Sequence, residues 1–312
     1  MKTKLFYILL LSFGISVAQE NKFNSKNISV STFIDGTLLL PTTSEKIPLV
    51  IIIGGSGPTD RDGNQQMMKN NSLRFLAEAL YNNGIASYRY DKRIVKLMKN
   101  RTLREKDIRF DDFITDAEKV TDFFKNGGEF SKIYIIGHSQ GSLVGMIAAQ
   151  GRADGFISLA GAGQEIDDVI VDQIALQSPG LKESARTAYD DLRVHGVALN
   201  YSPSLASLFR ADIQPFMSSW MKFNPQVEIG KLKVPVLIII GDRDIQVQIS
   251  EAEHLREAQP NAEYVIIQNM NHILKKIEGG DLENSKSYNI YNLPIMPELV
   301  EKVTTFIKKQ NG

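Results

Sequence analysis

Residues 48–53 read Pro48-Leu49-Val50-Ile51-Ile52-Ile53 without a polar interruption, and Gly54 and Gly55 follow. An unbroken β-branched run of this length is what a strand covered on both faces requires. Further strands are read at 133–136, 234–240 and 264–267, and at 85–90 and 155–159, where Ser87, Arg89 and Ser158 interrupt the apolar positions. Between them the period changes. Phe110, Phe113, Ile114, Ala117, Val120 and Phe124 fall at helical spacing, so the pattern predicts an amphipathic helix over 110–124. Leu73, Leu76, Ala77 and Leu80 predict another over 71–82, stopped by Gly84, and further helices are predicted over 139–150 and 296–309. Residues 28–41 read as an extended stretch whose apolar part is Thr37-Leu38-Leu39-Leu40. Strands alternating with helices imply an α/β fold with a mostly parallel central sheet and helices on both faces.

One segment breaks the alternation. From 164 to 231 the pattern offers no strand, only helical stretches at 166–177 and 182–194, followed by Pro203, Phe209, Pro215, Phe216, Trp220, Phe223 and Pro225. An insertion of this kind between two sheet strands is expected to form a helical lid over one end of the sheet. The expected organisation is therefore a core made of 19–163 and 232–312, with 164–231 inserted. The basic stretch 92–109 is expected to be a solvated loop.

Composition narrows the partners. Thirty-six basic residues balance thirty-six acidic ones, so no overall field draws the chain to nucleic acid or to an anionic membrane. Met1-Lys2-Thr3-Lys4 is a short basic region, residues 5–17 are apolar, and Ser16-Val17-Ala18 offers the small residues that a signal peptidase needs. Residues 1–18 are thus expected to be a signal peptide, cleaved before Gln19, delivering the protein to a bacterial periplasm or to the medium. The apolar part is too short for a comfortable span, and the alternative of a stable membrane anchor is set aside. The chain has no cysteine, which rules out thiol chemistry and leaves the core to supply stability.

The strongest chemical signal is Gly137-His138-Ser139-Gln140-Gly141, set directly between an apolar strand and a helix. Lifting a serine above a sheet takes a tight strand-to-helix turn, and the flanking glycines keep Cβ atoms out of the crowded crossing. The serine then sits at a helix start, where unpaired N–H groups favour developing negative charge. Ser139 is the expected nucleophile.

Four histidines are available as base. His138 is adjacent to the nucleophile on a sharp turn and points elsewhere, for packing or a supporting hydrogen bond. His254 falls in the helical run 252–256 and is expected at the surface; His195 lies in the insertion beside Gly196. His272 follows the last apolar strand across Gln268-Asn269-Met270-Asn271, at the sheet end where the site of an open α/β sheet belongs. It is the expected base. The acid is sought between serine and histidine in chain order. Gly241-Asp242-Arg243-Asp244 leaves the strand at 234–240, and Asp244, past the turn, is the expected orienting acid, with Asp242 as the alternative.

An oxyanion needs two donors. One is the backbone N–H of Gln140. The other belongs to the loop Gly54-Gly55-Ser56-Gly57-Pro58-Thr59-Asp60-Arg61-Asp62, with Ser56 preferred, and Gly55 and Gly57 letting the backbone approach substrate. Asp60, Arg61 and Asp62 are expected to form an ion-paired network that fixes this loop. Nucleotide binding is not supported: Gly55-Ser56-Gly57 lacks the third glycine of a dinucleotide fingerprint, and no Gly-Lys-Ser/Thr follows. Nor is there a His-Glu-x-x-His or a close histidine pair to hold a metal. Trp220, Phe209, Phe216 and Phe223 line an acyl pocket in one reading and form the insertion's own core in the other.

These pieces together resemble the α/β-hydrolase superfamily and, more narrowly, bacterial esterases whose oxyanion loop reads Gly-Ser-Gly-Pro-x-Asp-Arg-Asp. The matching residues are 55–62, 137–141, 241–244 with Gln246-Val247, and Met270-Asn271-His272; the segment 220–225 is also similar. The resemblance implies the α/β-hydrolase fold, no cofactor, and hydrolysis of small-molecule carboxylic esters of short to medium acyl length. It places the triad at Ser139, Asp244 and His272. The chain departs from those relatives at Tyr90-Asp91-Lys92-Arg93-Ile94-Val95, where they often carry glycines after the arginine. A serine peptidase or thioesterase with the same triad is the alternative, and a catalytically silent binding protein a third reading.

Overall fold

The computed structural model describes residues 23–310; the expected signal peptide at 1–18 lies outside them. The described residues begin with two strands, β1 (Ser25–Ser31) and β2 (Ile34–Leu39), and continue with β3 (Leu49–Ile53), α1 (Ser72–Asn82), β4 (Ala86–Tyr90), α2 (Arg93–Lys99), α3 (Phe110–Gly127), β5 (Ile133–His138), α4 (Gln140–Ala149) and β6 (Gly155–Leu159). Five helices come next, α5 (Ile166–Gln177), α6 (Lys182–His195), α7 (Ala206–Phe209), α8 (Gln214–Trp220) and α9 (Pro225–Gly230). The chain returns to the sheet with β7 (Val236–Gly241), α10 (Ile249–Ala258), β8 (Glu263–Ile267), α11 (Asp281–Ser287) and α12 (Pro297–Lys309).

The strands form one sheet in the order β1-β2-β4-β3-β5-β6-β7-β8. From β4 to β8 every pairing is parallel; β1 and β2 are antiparallel to each other, and β2 is antiparallel to β4. The extended stretch expected at 28–41 is therefore two strands. Leu38 and Leu39 are buried, whereas β1 is exposed over Ser25-Lys26-Asn27 and carries no apolar run to announce it.

Side chains of the central strands divide by parity, as a period of two requires. Leu49, Ile51, Ile53, Ile133, Ile135, Ile238 and Ile240 face one way, onto α3, α4 and α10; Val50, Ile52, Ile136, Leu237 and Ile239 face the other, onto α1 and α12. Each such side chain, fully covered, contributes about 2 kcal/mol. With both faces sealed, the strand ends are where backbone groups and polar side chains meet solvent, and Ser139, Asp244, His272 and the loop of Gly55, Ser56 and Gly57 follow the carboxyl ends of β5, β7, β8 and β3.

The segment between β6 and β7 has a core of its own, including Val171, Tyr189, Leu192, Phe209 and Met217. Its first two helices are tied by charge: the buried Asp167 carboxylate accepts hydrogen bonds from Arg186 and Arg193 at 2.7 and 2.8 Å. Toward the sheet it docks through aromatic rings. Trp220 stacks on Phe110 of α3 at 5.2 Å, and Phe216 and Phe223 pack against the same ring. Of the aromatics singled out from the sequence, Phe209 thus belongs to the segment's interior and the others to its seam with α3.

The solvated loop expected at 92–109 holds for most of 98–107, which is exposed, but is corrected at its beginning. Lys92 is buried, and α2 begins directly after it. Arg93 is drawn in by two carboxylates of α3, Asp112 at 2.6 Å and Asp116 at 2.7 Å. Charge density alone suggested solvent; the partners that bury it are contributed by a different helix.

Candidate active site

β5 ends in Gly137 and His138, and the chain turns at once into α4. Ser139 between them has φ 55°, ψ −124°, a backbone state costing of order 1–3 kcal/mol for a residue with a side chain. What holds it there is a set of close contacts. The Ser139 N–H donates to the Leu159 carbonyl of β6 at 2.9 Å, and the Ser142 N–H donates to the Ser139 carbonyl at 2.8 Å. A Cβ added at Gly137 would lie 2.2 Å from the Gly141 oxygen, and one at Gly141 2.5 Å from the Ile53 oxygen. Only glycine fits at either position. The result is a half-buried serine side chain held above the sheet, at the first turn of a ten-residue helix.

Two further strand ends converge on it. Asp244 leaves β7 through a turn in which its Oδ1 accepts from the N–H groups of Gln246 and Val247, at 2.8 and 2.9 Å. Its Oδ2 lies 2.7 Å from Nδ1 of His272, a contact buried on both sides. Asp242, the alternative acid, instead accepts from the backbone N–H of Asn269 at 2.6 Å and closes the turn after β8. His272 and Ser139 line the same small cavity, together with Ser56, Gly55 and His138. His138 lies beside His272, its Nε2 2.8 Å from the His272 carbonyl oxygen. Burial, with the neighbouring His272 ring second, lowers its pKa to about 4, so it is neutral and supplies a hydrogen bond rather than a charge. His195 is exposed at the end of α6, and His254 is half-buried in α10, deeper than its sequence position suggests.

The loop after β3 runs past the serine: a Cβ at Gly55 would touch Ser139 Cβ at 3.2 Å. Ser56 lies at its exposed tip, and the Ser56 carbonyl accepts from Thr59 Oγ1 and Gln65 Nε2 at 2.8 and 2.9 Å. Gly57 follows at φ 78°, against the Gln65 side chain. Arg61 is clamped to Asp91 at 2.6 Å and Asp62 pairs with Arg89 at 3.0 Å. Asp60 takes no ion pair among the described residues; its Oδ1 accepts the N–H groups of Asp62 and Asn64, at 2.9 and 2.8 Å. Sequence reasoning passed over Lys92, whose Nζ donates to the Gly55 carbonyl at 2.9 Å and to Gln140 Oε1 at 2.6 Å. Its one sequence signal was position, directly beyond the carboxyl end of a buried strand.

Ser139 also lines a cavity of about 380 Å³ bounded by α5 and α8. Its walls include Ser56, Gln140, Leu143, Ile170, Ile174, Met217 and Trp220, and among the described residues no ionisable side chain lines it. Gly55 and Gly57 do not line it; Gly55 lines the smaller cavity with His272.

No family model matches the chain. It is 29% identical over 274 residues to esterase EstD of Thermotoga maritima, and the match takes in 82% of this chain. It spans 61% of the length of that relative. Among solved structures it is similar to Est1E from Butyrivibrio proteoclasticus, at 20% identity and a TM-score of 0.59, covering 92% of this chain and 98% of the other. It is also similar to the Pyrococcus furiosus esterase Pf2001, at 17% identity and a TM-score of 0.55, covering 93% and 92%. The fold is the α/β-hydrolase fold. The strand-to-helix turn bearing Ser139 follows β5, and the Asp244–His272 pair stands beyond the carboxyl ends of β7 and β8 in the same sheet. Such an arrangement lets an imidazole accept a proton from a neighbouring hydroxyl while the carboxylate, staying ionised, orients the ring and stabilises the imidazolium.

Proposed function

We propose that the protein is a serine hydrolase acting on uncharged carboxylic esters of short to medium acyl length, through an acyl-enzyme on Ser139. The observation that carries this reading is the positive-φ turn at Ser139 opening on the same cavity as a histidine already hydrogen-bonded to a buried carboxylate.

In this reading His272 takes the Ser139 proton as Oγ attacks the ester carbonyl, and Asp244 holds the imidazole with Nδ1–H toward itself and stabilises the imidazolium. The tetrahedral oxyanion accepts from the backbone N–H groups of Gln140 and Ser56. The alcohol leaves with the proton from His272, and a water activated by the same imidazole resolves the acyl-enzyme. The acyl group occupies the cavity toward α5 and α8, with Trp220 on its wall and 164–231 as the lid. A wall without ionisable side chains suits a neutral ester and offers no ion-pair anchor for a peptide's terminal amine. The names of EstD and Pf2001 as esterases support the same direction. Export through residues 1–18 to the periplasm or medium belongs to this proposal and rests on the leader sequence.

A fluorophosphonate probe tests it directly. The protein should be labelled and should hydrolyse p-nitrophenyl esters, Ser139→Ala should do neither, and peptide p-nitroanilides should be poor substrates. Equal labelling of the protein and its Ser139→Ala variant overturns the assignment.

A further inference from the structure

We propose that Lys92 is a positioning residue for the oxyanion site, fixing both of its backbone donors and strengthening one of them through the peptide group. This rests on the reading of Ser139 given above.

Lys92 follows β4 and touches each wall of the site. Its backbone N–H donates to the Thr59 carbonyl at 3.3 Å and its ammonium to the Gly55 carbonyl at 2.9 Å, so one residue holds the loop after β3 at two points. The Gly55 carbonyl and the Ser56 N–H are the two ends of one peptide unit. A cation on that oxygen draws electron density away from the nitrogen, making the Ser56 N–H a better donor, and fixes the direction in which it points. The third contact, to Gln140 Oε1 at 2.6 Å, anchors the residue whose N–H is the other donor.

This ammonium is held at a cost. It is 6% exposed, lies over the Phe113 ring at 4.3 Å, and has no carboxylate partner among the salt bridges of the described residues. Burying a charge without an opposite one is unfavourable, and an apolar side chain of similar length fits the same space more cheaply. The ionisable groups sharing the small void beside it are Tyr90 of β4, Arg93 of α2 and Asp116 of α3. Arg93 and Asp116 are bonded to each other at 2.7 Å, and burial keeps the Tyr90 hydroxyl un-ionised. Desolvation by burial lowers the Lys92 pKa to about 7. The group therefore exchanges its charge in the neutral range, and the donor strength it confers follows.

The test is kinetic, on the full chain. Lys92→Met should lower kcat for p-nitrophenyl acetate by about 100-fold, the scale of a lost oxyanion contribution, with KM within about threefold. Substrate binding precedes oxyanion formation, so a merely structural defect would move KM as well. A second measurement needs no variant: kcat/KM of the wild type should fall on the alkaline side with a midpoint near 7, as Lys92 loses its proton. An alkaline limb absent up to pH 9, or a folded Met variant with unchanged kcat, overturns the role of Lys92 alone. A wild type that hydrolyses no ester overturns both readings.

Discussion

Nε2 of His138 lies 2.8 Å from the backbone carbonyl oxygen of His272, and the two imidazole rings are 4.9 Å apart. A carbonyl only accepts, so this nitrogen carries the proton and His138 is held as the neutral Nε2–H tautomer. The bond fixes the backbone on which the candidate base is mounted. It also makes stability depend on pH. The folded pKa, about 4, lies below the ordinary value of 6.5, so between those values the unfolded chain binds more protons. Stability is present above pH 6.5 and is lost as the pH falls through 4, by about 3 kcal/mol from this residue. His138→Phe keeps a ring in the space and removes the titration. Urea unfolding across that range should be less pH-dependent in the variant; parallel curves would contradict the assignment.

The two aspartates of the β7 turn separate cleanly. Asp244 faces Nδ1 of His272 with one oxygen and two backbone N–H groups with the other. Asp244→Asn keeps the turn contacts but presents an amide to the imidazole, which favours the wrong tautomer. A kcat loss of about 10³ to 10⁴ is expected for ester hydrolysis. Asp242→Asn retains an acceptor for Asn269, so kcat should stay within about threefold of wild type. The reverse order of effects would reassign the acid.

At the nucleophile turn the glycines are required by space rather than by flexibility. Gly141→Ala would press a methyl group against the Ile53 and Gly54 carbonyl oxygens, at 2.5 and 2.6 Å, which are backbone atoms of β3 and its loop. Nothing there can rotate away, and a loss of at least about 3 kcal/mol is expected. Gly84 gives the control. It has φ 77° but open space around its Cβ position, so Gly84→Ala should cost only about 1 kcal/mol, from the backbone alone. Chemical denaturation of both variants measures the contrast.

What the sequence made legible follows from which physics is local. β3, β5 and β7 are covered on both faces, so their own residues record their burial, and α3 records its single buried face in the spacing from Phe110 to Phe124. Gly137 registers a clash with the Gly141 and Ser142 backbone a few residues on, whereas the oxygens that Gly141 must clear belong to the distant Ile53 and Gly54. β1 was hidden because an exposed edge strand, Ser25–Ser31, needs no apolar run. Lys92 and Arg93 were hidden because their burial depends on distant groups: the Gly55 carbonyl, the Phe113 ring, and the carboxylates of Asp112 and Asp116. A positive side chain read alone belongs in water; only the fold brings in what replaces that water.

Acyl length should be set by the cavity of about 380 Å³ that Ser139 and α5 both line, with the half-buried Ile174 of α5 on its wall. Ile174→Trp puts an indole into that space without touching Ser139, Asp244 or His272. An acetyl group needs only the volume next to the serine, so kcat/KM for p-nitrophenyl acetate should change by less than about threefold. A longer chain must compete with the ring, and each methylene it cannot bury forfeits about 0.8 kcal/mol. Over several methylenes that amounts to a fall of at least about tenfold for the octanoate ester. Turnover measured across the series from acetate to octanoate gives the pattern. A uniform loss at every length would mean that the acyl group does not lie against α5, and would redirect attention to the smaller cavity beside His272.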